Sequence, residues 1–251
     1  MKTIPSSLLS AYPKVTAAFT TRHGGISSAP YNSANFAFHV GDNPLDVIKN
    51  HDLLSATLSY ERNRLIHMRQ IHSDRIVIID GTFDFDTPPE CDALITNRSH
   101  VPLMVMSADC TPILLYDPIR HVCAAIHAGR VGALNEILPK TIQKIEEYFE
   151  SSRENMQIIL GPSIQGCCYE INENIAQETE EKGYRCALRR EEEKVFLDVN
   201  TILLNQLEKL AIDPIHIEVI GECTSCKSDE YFSYRADRQH TGRIAGVIIL
   251  R

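Results

Sequence analysis

Hydrophobic residues follow two periodicities along the chain. Short runs of aliphatic and β-branched residues bounded by polar turns predict strands over 75–80, 102–107, 112–117, 121–127, 156–160, 194–199, 215–220 and 244–250. Longer stretches carry apolar residues at helical spacing behind capping residues. They predict helices over 45–59, 134–149, 173–183 and 201–210.

The order of these elements indicates the fold class. Strands outnumber helices, and several follow one another between residues 102 and 127 instead of alternating with helices. This order predicts an α+β fold, with mixed or antiparallel β-sheets flanked by helices. No repeat or low-complexity linker interrupts the chain, so we expect one domain over 1–251. The Asp- and Pro-rich segment 82–90 is predicted to be a surface loop.

Composition narrows the possible environments. The 251 residues are 43% hydrophobic, and the formal net charge is −8. That charge argues against nucleic acid or an anionic membrane as a partner. The N-terminus lacks the pattern of a signal peptide, and no apolar run approaches the roughly 18 residues of a membrane helix. We therefore expect a cytoplasmic protein, whose eight cysteines are thiols, metal ligands or a nucleophile rather than disulfides.

Three residues at predicted strand ends are candidates for chemistry. Cys110 follows an apolar strand between Asp109 and Thr111, where polar groups are costly to bury unless they are paired. His127 ends the next strand, so a hairpin would bring it to Cys110. His72 precedes another strand and could supply a third ligand. One cysteine and two histidines suit Zn²⁺ and leave a fourth position for water or substrate.

The same residues allow two other interpretations. Cys110 could be a nucleophile activated by His127 or His72. A type 1 copper site is also possible, and it would need an axial ligand such as Met104 or Met106. Copper sites of that kind usually take their cysteine, second histidine and methionine from one short loop, whereas a whole strand separates Cys110 from His127.

The remaining cysteines give weaker signals. Cys223 and Cys226 form a single C-x-x-C, which favours reduced, partly buried thiols over a metal or redox pair. Cys223 could alternatively close the zinc site as a fourth protein ligand and make it purely structural. The adjacent Cys167 and Cys168 are predicted to pack as small apolar groups.

Two segments are candidates for substrate binding. In TTRHGGIS, the guanidinium of Arg22 and the amides of Gly24 and Gly25 could hold phosphate, although a glycine turn explains them equally well. The segment YFSYRADRQHTGR offers cations and stacking rings, namely Arg235, Arg238, Arg243, Tyr231, Phe232 and Tyr234.

Ten collinear motifs between Thr20 and Arg243 resemble the laccase-domain family, also called multicopper polyphenol oxidoreductase or YfiH-like proteins. The motifs are TTRHGGIS, PYNSANFAFHVGD, QIHSDRI, CDALIT, ADCTPILLYDP, AAIHAG, GPSIQGCCYEI, LDVN, ECT and YFSYRADRQHTGR. The resemblance implies a layered α+β sandwich with a zinc ion, or alternatively copper, on His72, Cys110 and His127.

The resemblance also implies a function. It suggests a purine nucleoside phosphorylase that cleaves adenosine, inosine or methylthioadenosine with phosphate and deaminates adenosine. Asp109 is a candidate proton carrier because it borders the ligand Cys110. The alternatives are a copper-dependent polyphenol oxidase (laccase) and a peptidoglycan precursor editing hydrolase that uses Cys110. We expect small molecules as partners, and a monomer or weak homodimer.

The chain departs from the family pattern near these residues. It reads HAGRVG where the family usually reads HAGWRG, so Arg130 and Val131 replace a tryptophan and an arginine. QIHSD stands in place of Q-V-H-G, and Ala236 replaces the second of two arginines. The three ligands are retained, so these changes bear on substrate choice rather than on metal binding.

Overall fold

The computed structural model describes residues 1–251 and contains thirteen strands and five α-helices. The strands are β1 (Thr3–Pro5), β2 (Val15–Thr20), β3 (Ile76–Ile78), β4 (Ala93–Thr96), β5 (Leu103–Ser107), β6 (Thr111–Asp117), β7 (Val122–Ala128), β8 (Gln157–Leu160), β9 (Glu170–Ile171), β10 (Leu188–Glu191), β11 (Lys194–Leu197), β12 (Ile217–Val219) and β13 (Ile244–Leu250). The helices are α1 (Pro44–Leu58), α2 (Arg130–Leu134), α3 (Ile137–Phe149), α4 (Glu173–Glu181) and α5 (Val199–Lys209).

The strands form three sheets. The largest has six strands in the order β12-β8-β6-β7-β4-β3, with parallel pairing at its two ends and antiparallel pairing between them. A four-stranded antiparallel sheet has the order β1-β2-β13-β5, and a small antiparallel sheet has the order β10-β11-β9.

Hydrophobic packing arranges the two larger sheets as a sandwich. One core cluster lies between the sheets and combines residues of β2 and β13 with residues of β6 and β7. The opposite face of the six-stranded sheet packs against α2, α3 and α5, and α1 covers the opposite face of the four-stranded sheet. Strands β6 and β7 are therefore buried on both faces, which explains their continuous apolar sequences.

The structure confirms the predicted α+β class, all eight predicted strands and all four helical regions. The helix predicted over 134–149 is divided at Glu136, whose φ of 62° is incompatible with a continuous helix, so α2 and α3 are separate. Strands β1, β2, β4, β9 and β10 were not predicted. Residues 82–90 form the expected loop, although the side chain of Phe85 is buried.

The β6–β7 hairpin positions the candidate site. Its register pairs Pro112 with His127 and Thr111 with Ala128, so Cys110, immediately before β6, lies at the same end of the sheet as His127. None of the five α-helices combines the length and hydrophobicity that crossing a bilayer requires.

Candidate metal centre

His72, Cys110 and His127 converge at this end of the sheet. One donor atom from each lies within 4.8 Å of the other two, and the Nε2 of His72 is 4.0 Å from the Sγ of Cys110. The two imidazole rings are almost perpendicular, at an angle of 87°, with centroids 4.9 Å apart. His127 is buried, Cys110 half-buried and His72 exposed, so the cluster opens toward solvent on one side.

A buried carboxylate orients two of the three ligands. The Nδ1–H of His127 donates to Oδ1 of Asp92 at 2.8 Å, and the backbone N–H of His72 donates to the same oxygen at 3.0 Å. Ser73 donates to the second oxygen through its backbone N–H and its hydroxyl. Asp92 was not singled out from the sequence. The signal was a charged residue directly before the apolar strand β4, in the motif CDALIT.

The same network fixes protonation in the metal-free cluster. Burial disfavours the thiolate of Cys110, but the positive charge of His127 and hydrogen bonds from both histidines outweigh it and lower the pKa of the thiol to about 6. Burial likewise disfavours charged His127, yet the Cys110 thiolate and Asp92 raise its pKa to about 9. The pair therefore favours a thiolate beside an imidazolium near neutral pH.

The donor set fits a borderline divalent cation such as Zn²⁺. Because Asp92 engages Nδ1 of His127, the Nε2 atom is left to coordinate a metal. Tetrahedral Zn²⁺ with ordinary bond lengths requires about 3.6 Å between a nitrogen and a sulfur ligand, close to the observed 4.0 Å. A Cβ at Gly129 would lie 3.0 Å from Sγ of Cys110 and 3.3 Å from Cδ2 of His72, so glycine keeps this space open.

The cluster lies in a cavity of about 520 Å³, a volume typical of small-molecule sites. Its lining combines the three candidate ligands with cations, aromatic rings and small apolar groups. Besides the ligands, it comprises His39, Gln70, Met106, Ser107, Ala108, Asp109, Gly129, Arg130, Ile164, Tyr169, Val199, Tyr234, Arg235 and Arg243.

Three arginines reach the cavity. The guanidinium of Arg243 donates to the carbonyls of Thr241 and Gly242 through one nitrogen, and it lies 5.7 Å from the ring centroid of Tyr234. Arg235 lies 5.3 Å from the ring centroid of Tyr169. Arg130, at the position where the family usually has tryptophan, forms an ion pair with Glu178.

Asp109 lines the cavity, but both of its carboxylate oxygens are engaged. Oδ1 accepts from the hydroxyl of Thr224 and Oδ2 from the backbone N–H of Arg235, each at 2.7 Å. Its φ is 93°, an unusual conformation for a residue other than glycine. These contacts point to a role in joining β6 to the 224–235 segment rather than to proton transfer.

The glycine segment predicted to hold phosphate is not part of this lining. Arg22 donates to the carbonyls of Asn32 and Ser228 and stacks over the ring of Phe232, so its guanidinium is used within the protein. A Cβ at Gly25 would lie 2.3 Å from the Ser33 carbonyl oxygen, and one at Gly24, whose φ is 90°, would lie 2.9 Å from the Met1 Cα. The segment is a tightly packed turn, the other interpretation that the sequence allowed.

Met104 and Met106 lie on the same face of β5, and both belong to the buried cluster beneath α1. Met106, nearer the end of the strand, also lines the cavity, whereas Met104 does not. Met106 is therefore the only one of the two proposed axial copper ligands that reaches the cavity containing the candidate ligands.

The other cysteines are arranged differently from the prediction. Cys223 does not join the three candidate ligands; it clusters with Cys167, Cys168 and Cys226. Cys167 and Cys226 are exposed and Cys168 is half-buried, so the adjacent pair does not pack as apolar groups. The prediction was wrong because the two cysteine pairs, 55 or more residues apart, meet only in the folded chain.

Comparison with known proteins matches almost the whole chain. The family model described as multi-copper polyphenol oxidoreductase laccase matches residues 16–251. A purine nucleoside phosphorylase of Corynebacterium glutamicum is 37% identical over 237 residues, which cover 94% of each chain. A protein of the same name from Streptomyces coelicolor is 32% identical, over 92% of this chain and 94% of the relative.

Solved structures share the fold. The hypothetical protein YfiH of Bacillus licheniformis superposes with a TM-score of 0.90 at 30% identity, over 96% of this chain and 94% of that one. YlmD of Geobacillus stearothermophilus gives a TM-score of 0.87 at 28% identity, over 96% and 93% of the two chains.

Proposed function

Because this chain belongs to the multi-copper polyphenol oxidoreductase laccase family, whose relatives here are named purine nucleoside phosphorylases, we propose that it is a zinc-dependent purine nucleoside phosphorylase. The observation that carries the proposal is an open, three-ligand cluster in a cavity of about 520 Å³ that also contains three arginines. Three protein ligands leave a coordination position for substrate, as catalytic zinc sites do.

The cations of the cavity suit phosphate. Arg235 and Arg243 provide guanidinium groups that can bind phosphate oxygens in pairs. Arg130, just after the end of β7, also reaches the cavity, but its charge is balanced by the ion pair with Glu178. The rings of Tyr169 and Tyr234 flank the arginines and provide flat surfaces on which a purine could stack.

The proposed reaction is phosphorolysis of adenosine, inosine or methylthioadenosine. A phosphate oxygen would attack C1′ of the ribose, the bond from C1′ to the purine nitrogen would break, and the base would take up a proton and leave. The sugar product would be ribose 1-phosphate, or 5-methylthioribose 1-phosphate when methylthioadenosine is the substrate. A divalent ion on His72, Cys110 and His127 would polarise an oxygen bound to it. With water in place of phosphate, attack at C6 of adenine would release ammonia, which is the proposed deamination of adenosine.

One observation favours a second candidate. The lowered pKa of Cys110 and its imidazolium neighbour His127 also describe an activated cysteine nucleophile. A hydrolase of peptidoglycan precursors that used Cys110 would need no metal. A copper-dependent phenol oxidase has less support, because a whole strand separates Cys110 from His127, whereas type 1 copper sites usually take their cysteine and second histidine from one short loop.

The test is an assay of purified, metal-analysed protein with inosine or adenosine, with and without phosphate. We expect hypoxanthine or adenine and ribose 1-phosphate only when phosphate is present, and inosine from adenosine in either case. Cys110→Ala and His127→Ala should each lose metal and about 10³-fold in kcat/KM, because losing the metal removes several kcal/mol of transition-state stabilisation. Cys186→Ser, an exposed thiol outside both clusters, is the matched control.

The rival functions give different results in the same assay. Phosphate-independent release of base, or full activity in a metal-free Cys110→Ala variant, would contradict the phosphorylase. Activity that survives metal removal but not alkylation of Cys110 would favour the cysteine hydrolase. Copper in the protein, with phenol turnover that consumes oxygen, would favour the oxidase.

A further inference from the structure

A second cluster of metal-binding side chains lies on the loops beside the cavity. It consists of Cys167 and Cys168, from the loop after β8, and Cys223 and Cys226, from the turn after β12. All four sulfur atoms lie within 4.8 Å of one another. None of the four cysteines is in a disulfide.

The sulfur separations match those of a tetrahedral ion. Sγ of Cys226 is 3.3 Å from that of Cys168 and 3.6 Å from that of Cys167, and the adjacent pair is 3.7 Å apart. Four thiolates at the usual zinc–sulfur distance of about 2.3 Å would be about 3.8 Å from one another. We propose that these four cysteines bind a second zinc ion in a closed site with no open coordination position.

Backbone amides support thiolates at this position. The N–H of Gln165 lies 3.5 Å from Sγ of Cys223 and points toward it. Amides that donate to the first sulfur of a C-x-x-C turn play the supporting role that neighbouring groups have in metal sites.

Arginines flank the adjacent pair. Arg189 donates to the carbonyl of Gly166 at 2.9 Å, and Arg235 donates to the carbonyl of Glu170 at 3.0 Å. These carbonyls lie one residue before Cys167 and two residues after Cys168. Arg189 also forms an ion pair with Glu191, whereas Arg235 forms none, so Arg235 brings most of the positive charge to the loop that would carry a negative tetrathiolate.

The zinc ion would stabilise the two cysteine-containing loops, which form one side of the cavity. The two cysteine loops already join through a β-bridge between Ser163 and Cys223, with a hydrogen bond from Thr224 N to Ser163 O at 3.1 Å. Tyr169, next to Cys168, lines the cavity, and Thr224, next to Cys223, holds Asp109. The site would thus stabilise the position of the cavity wall, and this role does not depend on which reaction the protein catalyses.

The test is the metal content of protein purified with zinc and a reductant. We expect two zinc ions per chain in the wild type, one in Cys223→Ser/Cys226→Ser and one in His127→Ala. Cys186→Ser should retain two. After cobalt substitution, the double variant should lose most of the thiolate-to-cobalt absorption, whereas His127→Ala should keep most of it, because four of the five proposed cysteine ligands belong to the second site.

A second double variant keeps the proposal testable if Cys223→Ser/Cys226→Ser does not fold. Cys167→Ser/Cys168→Ser changes the exposed side of the same cluster and should also contain one zinc ion, with a circular dichroism spectrum like that of the wild type. A single zinc in the wild type that disappears in His127→Ala would overturn the proposal. Iron in place of zinc, or disulfides among the four cysteines in reduced preparations, would overturn it as well.

Discussion

The two sulfur-containing clusters differ in ligands, surroundings and exposure. His72, Cys110 and His127 mix nitrogen with sulfur, lie at a strand end and face a cavity. The other cluster has four sulfurs, lies on surface loops and has three cysteines at least partly exposed to solvent. The first offers three donors and room for a fourth group, whereas the second offers all four donors itself.

This difference in the number of protein ligands suggests a catalytic role for the three-ligand cluster and a structural role for the four-cysteine cluster. An ion with three protein ligands can exchange water or substrate, and an ion with four cannot do so without losing a ligand. The supporting groups differ correspondingly. A buried carboxylate orients His127 in the open centre, whereas the backbone N–H of Gln165 points toward Cys223 in the closed cluster. Both clusters contain cysteines that follow strands, but the number of donor atoms brought together suggests a different role for each.

The largest expected effect that separates the two clusters comes from Asp92→Asn. The change removes the negative charge that holds Nδ1–H of His127, so metal affinity at the open centre and kcat/KM should each fall about 10- to 100-fold. Zinc at the four cysteines should be unaffected. Titration with a chelating indicator, together with total metal content, measures both sites in one sample.

The matched control for this change is Asp74→Asn. Asp74 lies two residues from His72, but its carboxylate is exposed and pairs with Lys140 rather than with a ligand. It should leave both metal sites and the activity intact. An equal loss of affinity in Asp74→Asn, or a loss of zinc from the cysteine cluster in Asp92→Asn, would contradict the separation of the two sites.

A smaller effect is expected at the phosphate-binding side of the open centre. Arg243→Lys keeps the charge but loses the paired donors, so KM for phosphate should rise about tenfold with little change in metal content. Arg22→Lys is the comparison, because the guanidinium of Arg22 is used within the fold. It should lower thermal stability and leave KM for phosphate unchanged. Steady-state kinetics with phosphate varied would reveal the opposite pattern if Arg22 were the anion ligand.

The smallest effect is a difference in thiol titration between the two clusters. In metal-free protein the pKa of Cys110 is lowered to about 6, so its alkylation should persist through neutral pH and decline as the pH falls through about 6. The pKa of Cys226 is raised, chiefly by its hydrogen bond with Cys168, so its alkylation should require alkaline pH. Peptide mass spectrometry after iodoacetamide treatment resolves each site.

Two controls test whether the pH dependence of Cys110 alkylation arises from His127 and from the metal site. His127→Ala should move the alkylation of Cys110 to higher pH, because it removes the positive charge that stabilises the thiolate. Zinc should protect Cys110 at all pH values at which it binds. An unchanged profile in His127→Ala would show that the thiol is not coupled to the imidazole.

Local sequence patterns were sufficient for much of the fold. The apolar runs of β6 and β7 and the polar residues at their ends predicted both the hairpin and the proximity of Cys110 to His127. Strand β2 was missed because its sequence, VTAAFT, has small residues and no alternation. Its partners are β1 and β13, and the pairing with β13 spans more than two hundred residues.

The candidate site shows the same limit. Strand ends indicated the three ligands, but the role of Asp92 depends on β4 lying beside β7. The four-cysteine cluster depends on two loops that meet through a bridge between distant residues. The sequence TTRHGGIS was compatible with phosphate binding by Arg22, Gly24 and Gly25, but in the folded chain these residues form a tightly packed turn. Local sequence patterns therefore identify side chains that are suited to a site, whereas the pairing of distant strands and loops determines which of these side chains come together.

The lack of space around Gly129 limits which residues this chain can tolerate at that position, beside the open centre. Another coordinating side chain could replace a ligand and still attract a cation, but any side chain at position 129 would press against Cys110 and His72. We therefore expect Gly129, which contributes no donor atom, to be replaced less freely than the residues that do. Even alanine would require the side chains of Cys110 and His72 to shift by a few tenths of an ångström, so we expect selection for glycine here to preserve free space beside the ligands.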